Sequence, residues 1–331
     1  MRRAAVVLSP LLLGAWLAGC SAGSLAPDTP EPDTPEPTSA ARPTQSPPPW
    51  VTTTPPVEGP DRLSPDDVRV GLAWDAVLRL ARGIGPRHGT SPEFARAADW
   101  VAGELQTMGY DVRRQRFDVP GGVSWGVPVG PGRSQNLVAT LPGTRLDEPH
   151  LVVGAHLDTV PQAPGAEDNA SGVGVLLALA EAAADRRTRL PVVLVAFGAE
   201  EPRGPSDDDH HYGSRHYVAA LSGPEREALR GMVSLDRVGV GSVLPVCSAG
   251  PPDAMRASLL EAASRAGVAT LPCTENRASD HWSFVRDGLP GARLGSTSFA
   301  GYHSPGDTPS VIDREQLGRT ARTVAAWLSP R

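Results

Sequence analysis

Two short runs constrain this chain more than any other feature: HLVVGA at 150–155 and LPVVLVAFGA at 190–199. Neither alternates apolar with polar residues. Both are apolar nearly throughout, which is the pattern of strands covered on both faces. Between them lies NASGVGVLLALAEAAAD at 169–185, which reads as a helix. Strand, helix, strand is the repeating unit of a parallel sheet. The alternation continues on either side. Ser91-Pro92 reads as an N-cap followed by Pro at the first helical position. It opens the helix FARAADWVAGELQTM, with Phe94, Ala98, Val101 and Leu105 at helical spacing and Gly109 as its stop. DVRRQRFDV alternates like a strand, and QNLVATLPG is a second one. GSRHYVAAL reads as a helix, MVSLD as a strand and PDAMRASLLEAASRAG as a helix, and a last helix covers 313–328. The expected fold class is α/β: a three-layer α/β/α sandwich around a mixed, largely parallel central sheet.

The globular composition begins at about Leu63. Residues 1–20 read as a signal peptide, with MRR as a positive start and an apolar stretch too short to span a membrane comfortably. It closes on Leu17-Ala18-Gly19-Cys20, which resembles the lipobox of bacterial lipoproteins. The expectation is an exported protein, either anchored at the cell surface through lipidated Cys20 or secreted after cleavage nearby. Residues 21–62 read as a disordered tether. Twelve of the 35 prolines fall between Pro27 and Pro60, and DTPEP occurs twice in succession. Such a segment buries too little apolar surface to offset its ordering entropy. Residues 63–331 remain as the globular domain. With Cys20 lipidated, Cys247 and Cys273 are left as a possible pair in a compartment where disulfides persist. Sequence does not show whether their geometry allows a bond. The formal net charge is −6, with no basic block, which argues against nucleic acid as a partner.

In open α/β sheets ligands bind at the carboxyl ends of the strands. Here those ends carry an unusual load. HLVVGA ends in His156 and Asp158, VVLVAFGA in Glu200 and Glu201, and MVSLD in Asp236. Asp168 lies in the loop before the helix, and GYHSPGDT supplies His303. So many close carboxylates repel one another unless a cation sits among them. Two His and three carboxylates suit two divalent ions, and the mixed N/O set favours Zn2+. The natural division gives one ion His156 and Asp236, the other Glu201 and His303, with Asp168 bridging. Asp158 then accepts the proton on the second nitrogen of His156 and fixes its tautomer. Glu200, beside a ligand without being one, is placed to act as general base for a metal-activated water. A lone HxD is a weak signal; the ordered series of strand-end residues is a strong one.

At these residues the chain resembles the two-zinc aminopeptidases of metallopeptidase family twenty-eight. The matching segments are HLD at 156–158, EDNASG at 167–172, EE at 200–201, SLD at 234–236 and YHSPGDT at 302–308. Weaker matches are GPRHGTSPEFARAADWV at 85–101, GSRHYV at 213–218 and RASDHWSF at 277–284, so the likeness covers nearly all of 64–331. The resemblance implies the zinc exopeptidase fold, the metal roles given above and a catalytic Glu200. It further implies that Tyr302 hydrogen-bonds the tetrahedral oxyanion, that Arg277 and Asp280 belong to the substrate pocket, and that Asp168-Asn169 is a cis peptide. One stretch departs from the pattern. PRGPSDDDHHY at 202–212 replaces a shorter Gly/Leu-rich turn and reads as a solvated acidic loop, with an extra cation site as the sharper alternative.

The expected function is an exported zinc-dependent aminopeptidase acting on peptides with a free N-terminus. Three other readings compete. A two-zinc dipeptidase, carboxypeptidase or deacylase usually carries a lid domain between its fourth and fifth ligands; the 67 positions from Asp236 to His303 leave no room for one. A glutaminyl cyclase typically works with one zinc, against which the retained His156 argues. An inactive surface binding protein usually lacks a ligand or the base, and here all are present.

Overall fold

Runs that are apolar on every residue need cover on both faces, and the computed structural model supplies it. The structure describes residues 59–250, 253–295 and 297–330. The signal peptide, Cys20 and the tether up to residue 58 lie outside them.

In chain order the elements are α1 (Val70–Val77, continued by a wider-wound segment Leu78–Ile84), α2 (Pro92–Thr107), β1 (Asp111–Val119), β2 (Gly122–Ser124), β3 (Val127–Val129) and β4 (Gly132–Thr140). Then come β5 (His150–His156), α3 (Ser171–Ala184), β6 (Val192–Phe197), α4 (Tyr212–Ala219), α5 (Gly223–Ala228) and β7 (Leu229–Leu235). The last are β8 (Leu244–Cys247), α6 (Ala254–Arg265), β9 (Thr270–Cys273), α7 (His281–Val285), β10 (Gly291–Leu294) and α8 (Arg314–Leu328). Eight strands form one sheet in the order β1-β4-β6-β5-β7-β10-β8-β9. Its centre, β6-β5-β7-β10, is parallel throughout. β1, β4 and β6 are joined antiparallel, as are β10 and β8, so the sheet is mixed as expected.

The two faces divide the strand residues by parity. Leu151, Val153 and Ala155 of β5 pack on one side with Leu194 and Ala196 of β6, under α1, α2, α3, α6 and α8. Val152, Val193, Val195 and Phe197 face the other side, where Tyr217 of α4 and Phe284 of α7 cover them. This two-sided burial is why the runs show no alternation. Helix α3 is itself buried nearly all round, which its Ala/Leu/Val/Gly composition permits. Ser91 caps α2 as expected, its hydroxyl accepting from the Phe94 N–H at 3.0 Å. At the far edge Cys247 and Cys273 face each other in the β8–β9 register and form a disulfide.

Candidate metal centre

The carboxyl ends of the parallel strands converge on one cavity of about 160 Å³. Its lining includes His156, Asp168, Glu200, Glu201, Asp236 and His303. A larger depression of about 640 Å³ beside Tyr110 and Thr140 holds no comparable group of ligands.

Two of these side chains leave directly from strand ends. His156 is the last residue of β5, and Asp236 follows β7. Glu200 and Glu201 follow β6 after a turn through Ala199, which has a left-handed φ of 53°. Asp168 and His303 come from loops and need other support. The Asp307 carboxylate accepts the backbone N–H of Glu167 at 2.7 Å and of Asp168 at 3.0 Å. Arg87, wholly buried, donates to the carbonyls of Leu157, Pro164 and Gly165 and ties the loop to β5. Burial pulls the Arg87 guanidinium down to about 10, still well above neutrality. The Glu167 carboxylate accepts from the N–H groups of Gly239 and Val240 and fixes the chain after Asp236. Gly172 lets α3 approach this corner, since a Cβ there would collide with the Leu235 carbonyl. The Asp168-Asn169 peptide is cis.

The resulting distances form two trios that share Asp168. His156 Nε2 stands 3.2 Å from Asp168 Oδ1 and 3.7 Å from Asp236 Oδ1. His303 Nε2 stands 3.0 Å from Asp168 Oδ2 and 3.5 Å from Glu201 Oε2. Ligands about 2.0–2.2 Å from a tetrahedral ion lie roughly 3.4 Å from one another, and these His–carboxylate distances are near that spacing; among the described residues, the groups whose donor atoms all lie within 4.8 Å of one another are His156, Asp168 and Glu201, and His156, Glu200 and Asp236. Two buried acceptors in them, Glu201 Oε1 and Asp236 Oδ1, have no hydrogen-bond donor among the described residues. Nitrogen and carboxylate donors of this kind suit zinc.

Electrostatics separates the carboxylates. Burial opposes ionisation of Asp236, but Arg293, with Nη2 3.0 Å from Oδ2, and His156 hold its carboxyl well below the usual range. Burial likewise opposes ionisation of Asp168, and the hydrogen bonds from His156 and His303 outweigh it. Glu201 behaves oppositely: burial, then the charges of Asp168 and Glu200, push it well above the carboxylate range. A cation is what such a group requires to stay ionised. Glu200 stands 3.1 Å from His211 Nε2. Burial raises its carboxyl, yet the charge of His156 and the contact with His211 together hold it below the usual value.

Three expectations, those for Asp158, Arg277 and Asp280, are altered by the structure. Asp158 does not reach His156 with its carboxylate: His156 Nδ1 lies 3.2 Å from the Asp158 backbone carbonyl and 3.9 Å from Oδ1. The carboxylate turns instead to the neighbouring strand end and accepts the N–H groups of Glu200 at 3.0 Å and Glu201 at 3.2 Å. Tyr302 has its ring stacked on His303 at 3.6 Å and under the Arg237 guanidinium at 4.3 Å, and this sandwich fixes the ring. Arg277 does not line the cavity; it is exposed, stacked over Trp282 at 4.6 Å. Asp280 does not line it either, being fully buried behind it, where burial and then the charge of Glu200 push its carboxyl up to about 7. Of that segment Ala278 is the residue that lines the cavity.

The acidic loop divides in two. Asp207–Asp209 form an exposed turn, with Asp208 3.7 Å from Arg215 Nη2 and 3.4 Å from Arg286 Nη2. His210 and His211 reach the cavity. The sequence points to His211 only as part of the acidic loop, and to no role for Arg237, Arg293, Trp125 or Asp307. Arg237 directly follows SLD and Asp307 lies inside YHSPGDT, so for these two motif adjacency is the available signal. Trp125, on the turn between β2 and β3, packs its ring 4.2 Å from that of His303, and no local pattern points to that.

The comparisons agree with this geometry. The model of Peptidase family M28 matches residues 136–328, and the chain belongs to that family. Aminopeptidase YwaD of Bacillus subtilis is 32% identical over 205 residues, which is 58% of this chain and 44% of that protein. The match thus spans less than half of that relative's length. Among solved structures, BSAP, a zinc aminopeptidase from Bacillus subtilis, superposes with a TM-score of 0.70 at 21% identity over 78% of this chain and 94% of that one. A Bacteroides thetaiotaomicron glutaminyl cyclase bound to N-acetylhistamine superposes with a TM-score of 0.69 at 20% identity over 82% and 100%. At such identities the likeness is one of fold.

Proposed function

We propose that the protein is a zinc-dependent aminopeptidase holding two metal ions and removing N-terminal residues from peptides. One observation carries the reading: two His/carboxylate trios that share Asp168, with Glu200 beside them in the same cavity. His156 and Asp236 would hold one ion and Glu201 and His303 the other, with Asp168 shared between them. Zinc there supplies Lewis acidity towards the scissile carbonyl and lowers the pKa of water. Glu200 takes the proton of the attacking water at its carboxylate and returns it to the leaving amine. His211 orients that carboxylate, and Asp158 holds the backbone of Glu200 and Glu201. Family membership, the homology to an aminopeptidase and the 160 Å³ cavity support an exopeptidase. Ligand pockets ordinarily measure about 300–1,000 Å³, so this one suits a chain end. The proposal includes export and anchoring through Cys20, which Cys20→Ser and cell fractionation test.

The decisive experiment measures metal per chain and hydrolysis of amino-acid p-nitroanilides, with chelator and zinc add-back. Two zinc ions per chain, loss of turnover with the chelator and recovery with zinc are expected. Metal-loaded protein that cleaves no substrate with a free amino terminus overturns the aminopeptidase reading.

A further inference from the structure

We propose that Trp125 selects the second residue of the substrate: its indole forms one wall of the cavity mouth and packs against a large apolar or aromatic side chain just after the scissile amide. The inference rests on the aminopeptidase reading and names the substrate class of the same site.

Trp125 and Gly126 are the two central residues of the tight turn that joins β2 to β3, where Ser124 pairs with Val127. Both hold a positive φ, 45° and 82°. Turns of this kind favour Asn, Asp or Gly at the first of these positions, and a bulky residue there carries a conformational cost. A two-stranded ribbon is also marginal by itself in water, yet this one is tied down. The Arg203 carbonyl accepts the Val123 N–H at 3.0 Å. The buried Arg203 guanidinium donates to the Gly130 carbonyl at 2.9 Å and to Thr90 Oγ1 at 3.1 Å. Gln162 donates from one amide nitrogen to the carbonyls of both Trp125 and His303, at 3.4 and 3.2 Å. A costly conformation maintained by this many anchors points to a use for the side chain it presents.

The ring is held but not covered. It meets the His303 ring edge-on, with centroids 4.2 Å apart. Trp125 is nevertheless 53% exposed while lining the cavity, so it stands at the rim. Five large apolar side chains are exposed among the described residues; Trp125 and Tyr302 line this cavity, and Val123 shares the ribbon. Exposed apolar surface gathered beside a polar cavity marks a contact site. The cavity of about 160 Å³ takes up the chain end, so the residue that meets the rim is the one after the scissile amide. Indole against an aromatic or aliphatic side chain removes apolar area from water and desolvates no charge.

The test compares kcat/KM for Leu-Phe-Ala and Leu-Gly-Ala, with products separated by chromatography. p-Nitroanilides do not serve here, because their leaving group is itself aromatic. A preference of about 10-fold for Leu-Phe-Ala is expected, mainly through KM. Trp125→Asn removes it, and Trp125→Phe keeps part of it. A change in metal content would move both peptides together, so their ratio isolates the contact. Asn suits the turn, so the Tm of Trp125→Asn is expected not to fall. Equal kcat/KM for the two peptides, or a preference that survives Trp125→Asn, overturns the inference. So does a Trp125→Asn effect confined to the ratio of Leu-Gly-Ala to Ala-Gly-Ala, which would assign the ring to the first residue. Calorimetry with uncleavable reduced-amide analogues of Leu-Phe amide and Leu-Gly amide supplies a readout independent of turnover. Tighter binding of the Phe analogue is expected, and its loss in Trp125→Asn. If no peptide is cleaved, the aminopeptidase reading fails by itself. The titration then decides the rim contact alone, and equal affinity for the two analogues overturns it.

Discussion

The site is built in two ways, and the two differ in what keeps them in place. His156, Glu201 and Asp236 stand at the ends of β5, β6 and β7, so the parallel ladder sets their spacing. Asp168 and His303 have no ladder. They depend on polar anchors: the buried Asp307 under the N–H groups of Glu167 and Asp168, the buried Arg87 on the carbonyls of Leu157, Pro164 and Gly165, and the half-buried Gln162 donating to the His303 carbonyl at 3.2 Å. Where main-chain pairing ends, charged groups take over its task. This makes the loop half adjustable and the strand half fixed.

Mutations separate these two halves. The largest effect is expected at the proposed base beyond β6: Glu200→Ala should lower kcat by about 10²–10⁴-fold while leaving zinc content at wild-type level by elemental analysis. Loss of zinc in that variant would mean that Glu200 is a ligand. Next comes the edge of the sheet, distant from both halves. Replacing Cys247 and Cys273 by Ala opens a bridge between residues 26 apart, which should cost about 3 kcal/mol of stability in denaturant titrations, with kcat/KM unchanged. The loop half is probed by Asp307→Ala. Two N–H groups lose their acceptor, and zinc affinity should fall by about 10–100-fold, with activity recovered at high zinc. Stability lost without any change in affinity would show that Asp307 supports the fold and not the site. The smallest effect is expected far from both. Glu261→Ala breaks a surface i,i+4 pair with Arg265 and should change stability by no more than about 0.5 kcal/mol.

The same division explains what the sequence disclosed. Elements with two-sided apolar cover, β5, β6 and α3, were legible from composition alone, and the polar residues at their ends marked the cavity. β10 was not. GARL carries a buried Arg293 in mid-strand, where a charge ordinarily argues against a core position. Asp236 offsets that burial from another strand, and a partner 57 positions away is invisible locally. Asp158 was expected to hold the His156 ring, and its carboxylate instead accepts the N–H groups of Glu200 and Glu201. The carboxylate lies across to the next strand end, and that adjacency belongs to the sheet order, not to the chain. Arg277 and Asp280 fail for a related reason. A motif gives the neighbourhood, and only the packing of α7 decides that Asp280 turns inward and Arg277 outward.

The ligands are spread from residue 156 to residue 303, and the strands that bear them are neighbours in space but not in sequence. Parallel pairing of this kind closes long loops before any contact repays them, so it forms late in folding. The proposed ligands are not brought together on a partly folded chain, and the two halves of the site meet only when the sheet that carries them is in register. Assembly of the domain is therefore also its activation: a nascent or misfolded copy carries the residues of a hydrolase without the geometry of one.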